Sequence, residues 1–193
     1  MSSFSRGLAV STRLAPLRAT VAAGPDDETV RTVQAAQSGD RSAFGQLYAG
    51  FARMVHGILL SRVPRAEVDD LVQDVFLTAM QRLASLREAA SFGGWLAAIA
   101  RNRATDHLRR TPVTTELPES LSTTDVDRTE ALEILAIVQQ LPDAYRETLT
   151  LRLVEGMTGP EIAERTGLTA ASVRVNLHRG MKLLRERLER RSV

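Results

Sequence analysis

The sequence predicts an all-α protein made of two small helical domains joined by a flexible acidic linker. Three observations support this. Apolar residues recur at spacings of three and four along most of the chain, and alternating strand patterns are almost absent. One stretch, TPVTTELPESLSTTDVD, breaks the helical spacing with prolines, hydroxyl residues and acids, as linkers do. The helical spacing then resumes, so we expect a flexible extension over 1–26, domains at 27–110 and 128–193, and a linker over 111–127.

Composition narrows the possible functions. The chain has 193 residues, 44% of them hydrophobic and only 4% aromatic, which favours aliphatic packing between helices. It contains no cysteine, which excludes disulfides, thiolate zinc sites and a cysteine nucleophile. Its three histidines lie far apart in sequence, so we expect no metal site and no cofactor. No apolar run approaches the length of a membrane span, and the composition fits a cytoplasmic protein.

The N-terminal domain is predicted to hold four helices. They are expected at 27–37, at about 42–62, from about Pro64 to 83, and through FGGWLAAIARNRATDHLRR. The second helix should face the core with Phe44, Leu47, Tyr48, Phe51, Val55, Ile58 and Leu59.

The third helix has a second face that is polar. Asp70, Gln73, Asp74 and Leu77 fall at spacings of three and four and therefore share one side of the helix. An ordinary solvated surface would explain such a face in an arbitrary helix, so the pattern alone assigns no partner.

The C-terminal domain is predicted to end in a helix-turn-helix. Helices are expected at about 128–140 and, after LPD, to about 155, followed by two more that TGL separates. Thr158 and Glu161 form a capping box, Gly167 supplies the left-handed turn geometry, and Thr169 caps the last helix.

The last helix carries an excess of basic side chains, which indicates a polyanionic partner. In a helix-turn-helix, the N-terminal part of the second helix enters the major groove of DNA. A solvated basic face is the alternative, but the capping box, glycine turn and basic helix together favour DNA. The candidate contacts are Thr169, Ser172, Arg174, Asn176, His178, Arg179 and Lys182.

Three segments in this order resemble the extracytoplasmic-function sigma factors of bacterial RNA polymerase. They are DDLVQDVFLTAM, FGGWLAAIARNRATDHLRR and LPDAYRETLTLRLVEGMTGPEIAERTGLTAASVRVNLHRG, and the resemblance covers roughly residues 28–190. It implies a dissociable subunit that binds core polymerase, reads the −35 and −10 promoter elements and helps to open the DNA. It also implies an anti-sigma factor as partner and a role in a stress response.

The resemblance also implies site residues. The polar face of the third helix, Asp70, Gln73, Asp74 and Leu77, matches the segment that docks on the basic clamp helices of the core. The fourth helix and the loop before it match the reader of the −10 element, which includes a pocket for a flipped base. The matching positions are Arg87, Ser91, Phe92, Arg101, Asn102, Thr105 and Arg109.

The chain departs from the family pattern at a few positions. Val175 and Asn176 stand where a hydroxyl and a basic residue are usual, and Gly180 replaces a more usual alanine. Two adjacent glycines, Gly93 and Gly94, begin the fourth helix. These departures leave the class intact but place the −35 sequence preference in doubt.

Three other functions fit the sequence less well. A sigma mimic that captures an anti-sigma factor usually comes fused to a receiver domain, which does not fit in this length, and it would not need Arg174, Arg179 and Lys182. A plain helix-turn-helix regulator leaves the polar face of the third helix and the long linker unexplained. An enzyme is least favoured, because no nucleophile–base pair, phosphate loop or metal cluster is evident.

Overall fold

The computed structural model describes residues 27–110 and 126–191, with side chains from residue 131 onward in the second range, and within these ranges it is all-helical, as predicted. The predicted N-terminal extension and most of the predicted linker lie outside the described residues. The α-helices are α1 Asp27–Gln37, α2 Arg41–Leu60, α3 Arg65–Arg82, α4 Phe92–Arg110, α5 Val126–Gln139, α6 Asp143–Leu153, α7 Gly159–Thr166 and α8 Ala170–Arg191.

Helix α2 is the centre of the N-terminal group, where α1, α3 and α4 pack around it. Met54, Ile58 and Leu59 of α2 are fully buried, since they face the middle of the group. The predicted inner face of α3 is confirmed, because every apolar position assigned to it is buried: Val68, Leu71, Val72, Val75, Phe76, Ala79 and Leu83.

Tyr48 departs from the predicted apolar stripe of α2. Its side chain is 42% exposed, and one side of its ring packs on Phe76 at 4.5 Å between ring centroids. The residue lies at the rim of the core because a tyrosine can bury its ring while its hydroxyl stays near water.

The ends of the helices follow local sequence signals. Asp40 caps α2 by accepting hydrogen bonds from the backbone nitrogens of Ser42 and Ala43. The capping box of Thr158 and Glu161 is confirmed at the start of α7, and Gly167 ends that helix with a φ of +73°. The helix-turn-helix geometry is therefore set by side chains that the sequence displays directly.

Helices α5 to α8 form the second group, with α6 packed on α8 at its centre. Val138, Leu141, Leu149 and Leu184 supply a small core of their own. A second set of apolar side chains from this group faces the other way. Leu151, Met157, Ile162 and Val173 join the core that α1 to α4 build, so the two groups share one continuous apolar interior.

Candidate functional site

The outward face of α3 combines polar and apolar side chains. Asp70 and Gln73 are exposed, and Leu77 is 56% exposed. Met80, one turn beyond, is 57% exposed and extends the apolar end of this face. Exposed apolar side chains bordered by carboxylates are typical of a surface that binds another protein.

Asp74 lies on the same face but has a partner within the chain. It forms an ion pair with the Nη2 of Arg103 from α4, beside a groove that also contains Asp70 and His107. Among the described residues, Asp70 makes no ion pair within 4 Å. Asp70 is therefore the carboxylate on this face that is free to meet a basic partner.

The predicted DNA face of α4 is only partly exposed. Asn102, Thr105 and Arg109 face solvent, and the Thr105 hydroxyl donates to the backbone oxygen of Arg101 at 2.9 Å. Arg87 and Ser91, in the segment just before α4, are also exposed. These five side chains lie on the surface of the described structure.

Phe92 does not lie on that surface. It is 0% exposed, and its ring meets the ring of Phe51 edge to face at 5.0 Å between centroids. A ring with no accessible surface cannot contact DNA, so the structure places Phe92 in the core and corrects the expectation from sequence. Trp95, beside it, is also packed against this core.

Arg101 is held by the C-terminal group. Its Nη2 lies 2.7 Å and its Nε 3.0 Å from the carboxylate oxygens of Glu147 in α6, which is only 4% exposed. The Nη2 of Arg62 donates to the same carboxylate at 3.1 Å, and its Nη1 donates to Asp143 at 2.8 Å. The hydrogen bonds to Glu147 raise the pKa of Arg101 above its ordinary value.

A second polar contact joins the groups at His56 of α2. Its Nδ1 lies 2.6 Å from Oε1 of Glu155, just after α6. The hydrogen bond to Glu155 and the charges of Glu155 and Asp69 raise the pKa of His56 above its usual value of 6.5, against opposing effects of burial and Arg65. The contact is therefore strongest when the imidazole is protonated.

We expect His56→Gln to lower the free energy of unfolding by about 0.5–1 kcal/mol near pH 6, because the half-buried pair is partly screened by solvent. Because the pKa of His56 is higher in the folded than in the unfolded protein, its protonation stabilises the fold fully below the unfolded pKa of about 6.5. This stabilisation is lost as pH rises through the folded pKa. The free energies of unfolding of the wild type and His56→Gln, measured with urea from pH 6 to 9, should converge as pH rises. His178→Gln, on the exposed side of α8, is the matched control, and equal pH dependence in all three proteins would contradict the assignment.

The N-terminal half of α8 presents the predicted second DNA face. The Thr169 hydroxyl accepts from the backbone nitrogen of Ser172 at 3.1 Å, as the predicted cap, and the two hydroxyls lie 2.8 Å apart. Beyond this cap most of the predicted basic contacts face solvent, while Asn176 is partly buried. The exposed ones are Arg174, His178, Arg179 and Lys182.

The described part of the chain shows neither a metal site nor a membrane-spanning helix. No group of three or more histidine and acidic side chains there could hold a metal ion. None of its helices combines the length and apolar character that crossing a membrane requires.

Sequence reasoning missed the residues that join the two groups. Arg62, His56, Glu147 and Glu155 carried no motif, because their partners lie far away along the chain. One signal was available in the adjacent glycines at the start of α4. Glycine inside a helix lowers its stability, and a close approach of another backbone is a common reason for it.

Comparisons with known proteins match two regions of the chain. Residues 47–112 match sigma-70 region 2, and residues 131–184 match sigma-70 region 4. The chain is 32% identical to the RNA polymerase sigma factor CarQ of Myxococcus xanthus, over 79% of the chain and 92% of CarQ. It is 31% identical to the ECF RNA polymerase sigma factor BldN of Streptomyces coelicolor, over 79% of the chain but only 62% of BldN.

A solved structure shows a similar fold. The chain resembles CnrH, determined in complex with the cytosolic domain of CnrY, with a TM-score of 0.60 and 26% identity. The match covers 83% of this chain and 97% of CnrH.

Proposed function

The chain belongs to the extracytoplasmic-function sigma factors, which direct bacterial RNA polymerase to promoters, and we propose that it binds core polymerase through the outward face of α3. The observation that carries this assignment is the exposed combination of Asp70, Gln73 and Leu77 on a helix whose other side is fully packed. Carboxylates suit a basic polymerase surface, and the adjacent leucine supplies apolar contact area.

The two helical groups each read one promoter element. Residues 27–110 take the −10 element through α4 and the segment before it, and residues 128–193 take the −35 element through α8. The exposed side chains that support the −10 assignment are Arg87, Ser91, Asn102, Thr105 and Arg109. Arg101 belongs to the same face when it is released from Glu147. Arginine and asparagine are suited to phosphates and base edges alike.

The chain itself performs no catalysis, since the polymerase core synthesises RNA, and it works in the cytoplasm, where that enzyme is. CnrH was solved with the cytosolic domain of CnrY, and we propose that an anti-sigma factor likewise binds this chain.

Charge reversal at Asp70 tests the docking face. We expect Asp70→Lys to weaken binding to core polymerase roughly five- to tenfold, because an exposed charge that faced a basic surface now repels it. Binding is measured by fluorescence titration of labelled protein with purified core, and by co-elution. Asp74→Lys is less suitable, since it also breaks the ion pair with Arg103.

Asp69→Lys is the matched control, because this exposed acid lies on the same helix but off the proposed face. It should bind core as the wild type does. If the wild type itself fails to bind core, the sigma role is wrong for this chain. Equal binding by Asp70→Lys and wild type would keep the role and move the main anchor elsewhere.

A further inference from the structure

The side chain of Gln37, at the end of α1, is hydrogen-bonded to the segment that precedes α4. We propose that Gln37 is a positioning residue for promoter reading: its amide fixes the backbone of the segment 83–91, and that backbone presents Arg87 and Ser91 to the −10 element. The inference rests on the proposed −10 role of Arg87 and Ser91. It extends that role to α1, which carries none of the proposed DNA contacts.

The Gln37 amide makes two hydrogen bonds to backbone oxygens of this segment. Its Nε2 donates to the oxygen of Leu83 at 3.1 Å and to the oxygen of Leu86 at 2.7 Å. A primary amide nitrogen carries two N–H donors, so these two hydrogen bonds occupy both of them. Leu83 and Leu86 lie 46 and 49 residues away along the chain, so the amide joins two distant parts of the N-terminal group.

The segment 83–91 has few hydrogen bonds of its own where it reaches Arg87. It forms one turn of 3-10 helix at each end, with extended backbone at Leu86 and Glu88 between the two turns. Among the described residues, no backbone hydrogen bond involves Arg87 itself. The hydrogen bond from Gln37 to the oxygen of Leu86 therefore anchors the residue directly before Arg87.

The same segment has an inner and an outer side. Leu83 and Ala89 are buried in the core, whereas Arg87 and Ser91 face solvent. Helix α1 contacts both of the 3-10 turns. Because the segment is short, fixing its inner side also sets the position of the two exposed side chains.

The end of α1 is itself held in place. Val33, one turn before Gln37, is 0% exposed and packs in the apolar core. Directly after Gln37, the backbone nitrogen of Asp40 donates to the oxygen of Ala35 at 3.1 Å, and the Asp40 carboxylate caps α2. Gln37 therefore extends from a fixed helix end. A backbone that is ordered before DNA arrives loses less conformational entropy on binding, so the anchored segment should read DNA more tightly than a free one.

Three substitutions at Gln37 separate hydrogen bonding from helix stability, because glutamine, methionine, glutamate and lysine have similar helix propensities. Gln37→Met keeps the length but has no donor, Gln37→Glu places an ionised carboxylate against two carbonyl oxygens, and Gln37→Lys restores N–H donors. Promoter opening by the holoenzyme should fall roughly five- to tenfold with methionine, the size expected for a lost hydrogen bond, and further with glutamate. Lysine should return opening to near the wild-type level.

Gln34 supplies the matched controls, because it lies on the same helix with its side chain exposed. Gln34→Met and Gln34→Lys repeat the changes in polarity and charge, so they should open promoters as the wild type does. All of these variants should bind core polymerase like the wild type in fluorescence titration, since the proposed docking face lies on α3. Parallel losses of core affinity and promoter opening in Gln37→Met would mean that Gln37 only stabilises the fold, which would overturn the positioning role.

Removing single bases shows which part of the −10 element depends on Gln37. A promoter selected from a random library carries an abasic site at one position of the non-template strand at a time, and the fluorescence of 2-aminopurine elsewhere in the element reports opening. Arg87→Ala identifies the positions that the segment reads, because an abasic site there impairs the wild type but adds little to the defect of this variant. Gln37→Met should be insensitive at the same positions, and Gln37→Lys should regain the sensitivity.

The outcomes separate the positioning role from the sigma role. A wild-type chain that never binds core, or whose holoenzyme opens abasic and intact promoters equally well, overturns the proposed −10 role and the positioning role with it. A wild type that binds core and is sensitive to single bases, while Gln37→Met opens every promoter equally well, overturns only the positioning role of Gln37. Loss of opening in Gln37→Met, recovery in Gln37→Lys and unchanged core affinity together support it.

Discussion

Phe92→Ala is expected to lower the free energy of unfolding by about 3–5 kcal/mol, the usual cost of deleting a fully buried phenylalanine ring. Phe92 is 0% exposed and packs between Phe51, at 5.0 Å between ring centroids, and Trp95, at 5.9 Å. Its removal leaves a cavity at the start of α4. Urea unfolding followed by circular dichroism measures the loss.

Two further variants decide between a core role and a DNA role for this ring. Tyr48→Ala, at a 42% exposed aromatic position, should cost far less stability. Phe92→Leu keeps an apolar side chain in the core but removes the aromatic ring, so promoter opening by the holoenzyme should stay near wild type. If Phe92→Ala unfolds like wild type while promoter opening alone fails, the ring contacts DNA and the core assignment is wrong.

The second large effect is expected on α8. Replacing Arg174 and Arg179 together by alanine should weaken promoter binding by the holoenzyme by about 2–4 kcal/mol, roughly 30- to 1,000-fold. Both side chains are exposed near the N-terminal half of the helix, the part that enters the major groove in a helix-turn-helix. Filter binding across several salt concentrations, on a promoter selected from a random library, measures both affinity and the slope with salt.

A control matched in charge separates position from net charge. Arg185→Ala with Arg190→Ala removes two exposed arginines from the C-terminal half of the same helix. Replacing this pair should reduce promoter affinity only slightly, because it weakens long-range attraction but removes no direct contact with DNA. Equal losses from both pairs would mean that α8 attracts DNA without reading the −35 element.

Much of the fold could be predicted because its signals are local. The core side of α3, the capping box at Thr158 and the left-handed Gly167 are each set by residues a few positions apart. The predicted bounds of α1 and α4 agree with the structure, and the ends predicted for α2, α3, α5 and α6 lie within two residues of the observed ones. The exposed half of the candidate site followed from the same periodicity, since a side chain opposite an apolar stripe faces outward.

The family assignment likewise rested on the sequence alone, because it depends on the order and spacing of three segments. The regions that match sigma-70 regions 2 and 4 are the same two helical groups that the polar linker divides in the sequence. The sequence pattern did not predict how deeply some residues are buried. Phe92 is more buried, and Tyr48 more exposed, than the pattern indicates. The start of a helix and the rim of a core have no periodic signature, so burial there depends on which neighbour covers the position.

By itself, the sequence determined that this chain is helical, where its helices start and stop, and which helix faces are apolar, since these depend on contacts within about one helical turn. Only the tertiary structure decided that the two groups share a core, that Asp74 is paired with Arg103, and that Arg101 is held by Glu147. The partners of Arg101 and His56 lie 46 and 99 residues away along the chain. No local pattern specifies such pairs, because each forms only after separate helices have packed and brought the two charges together.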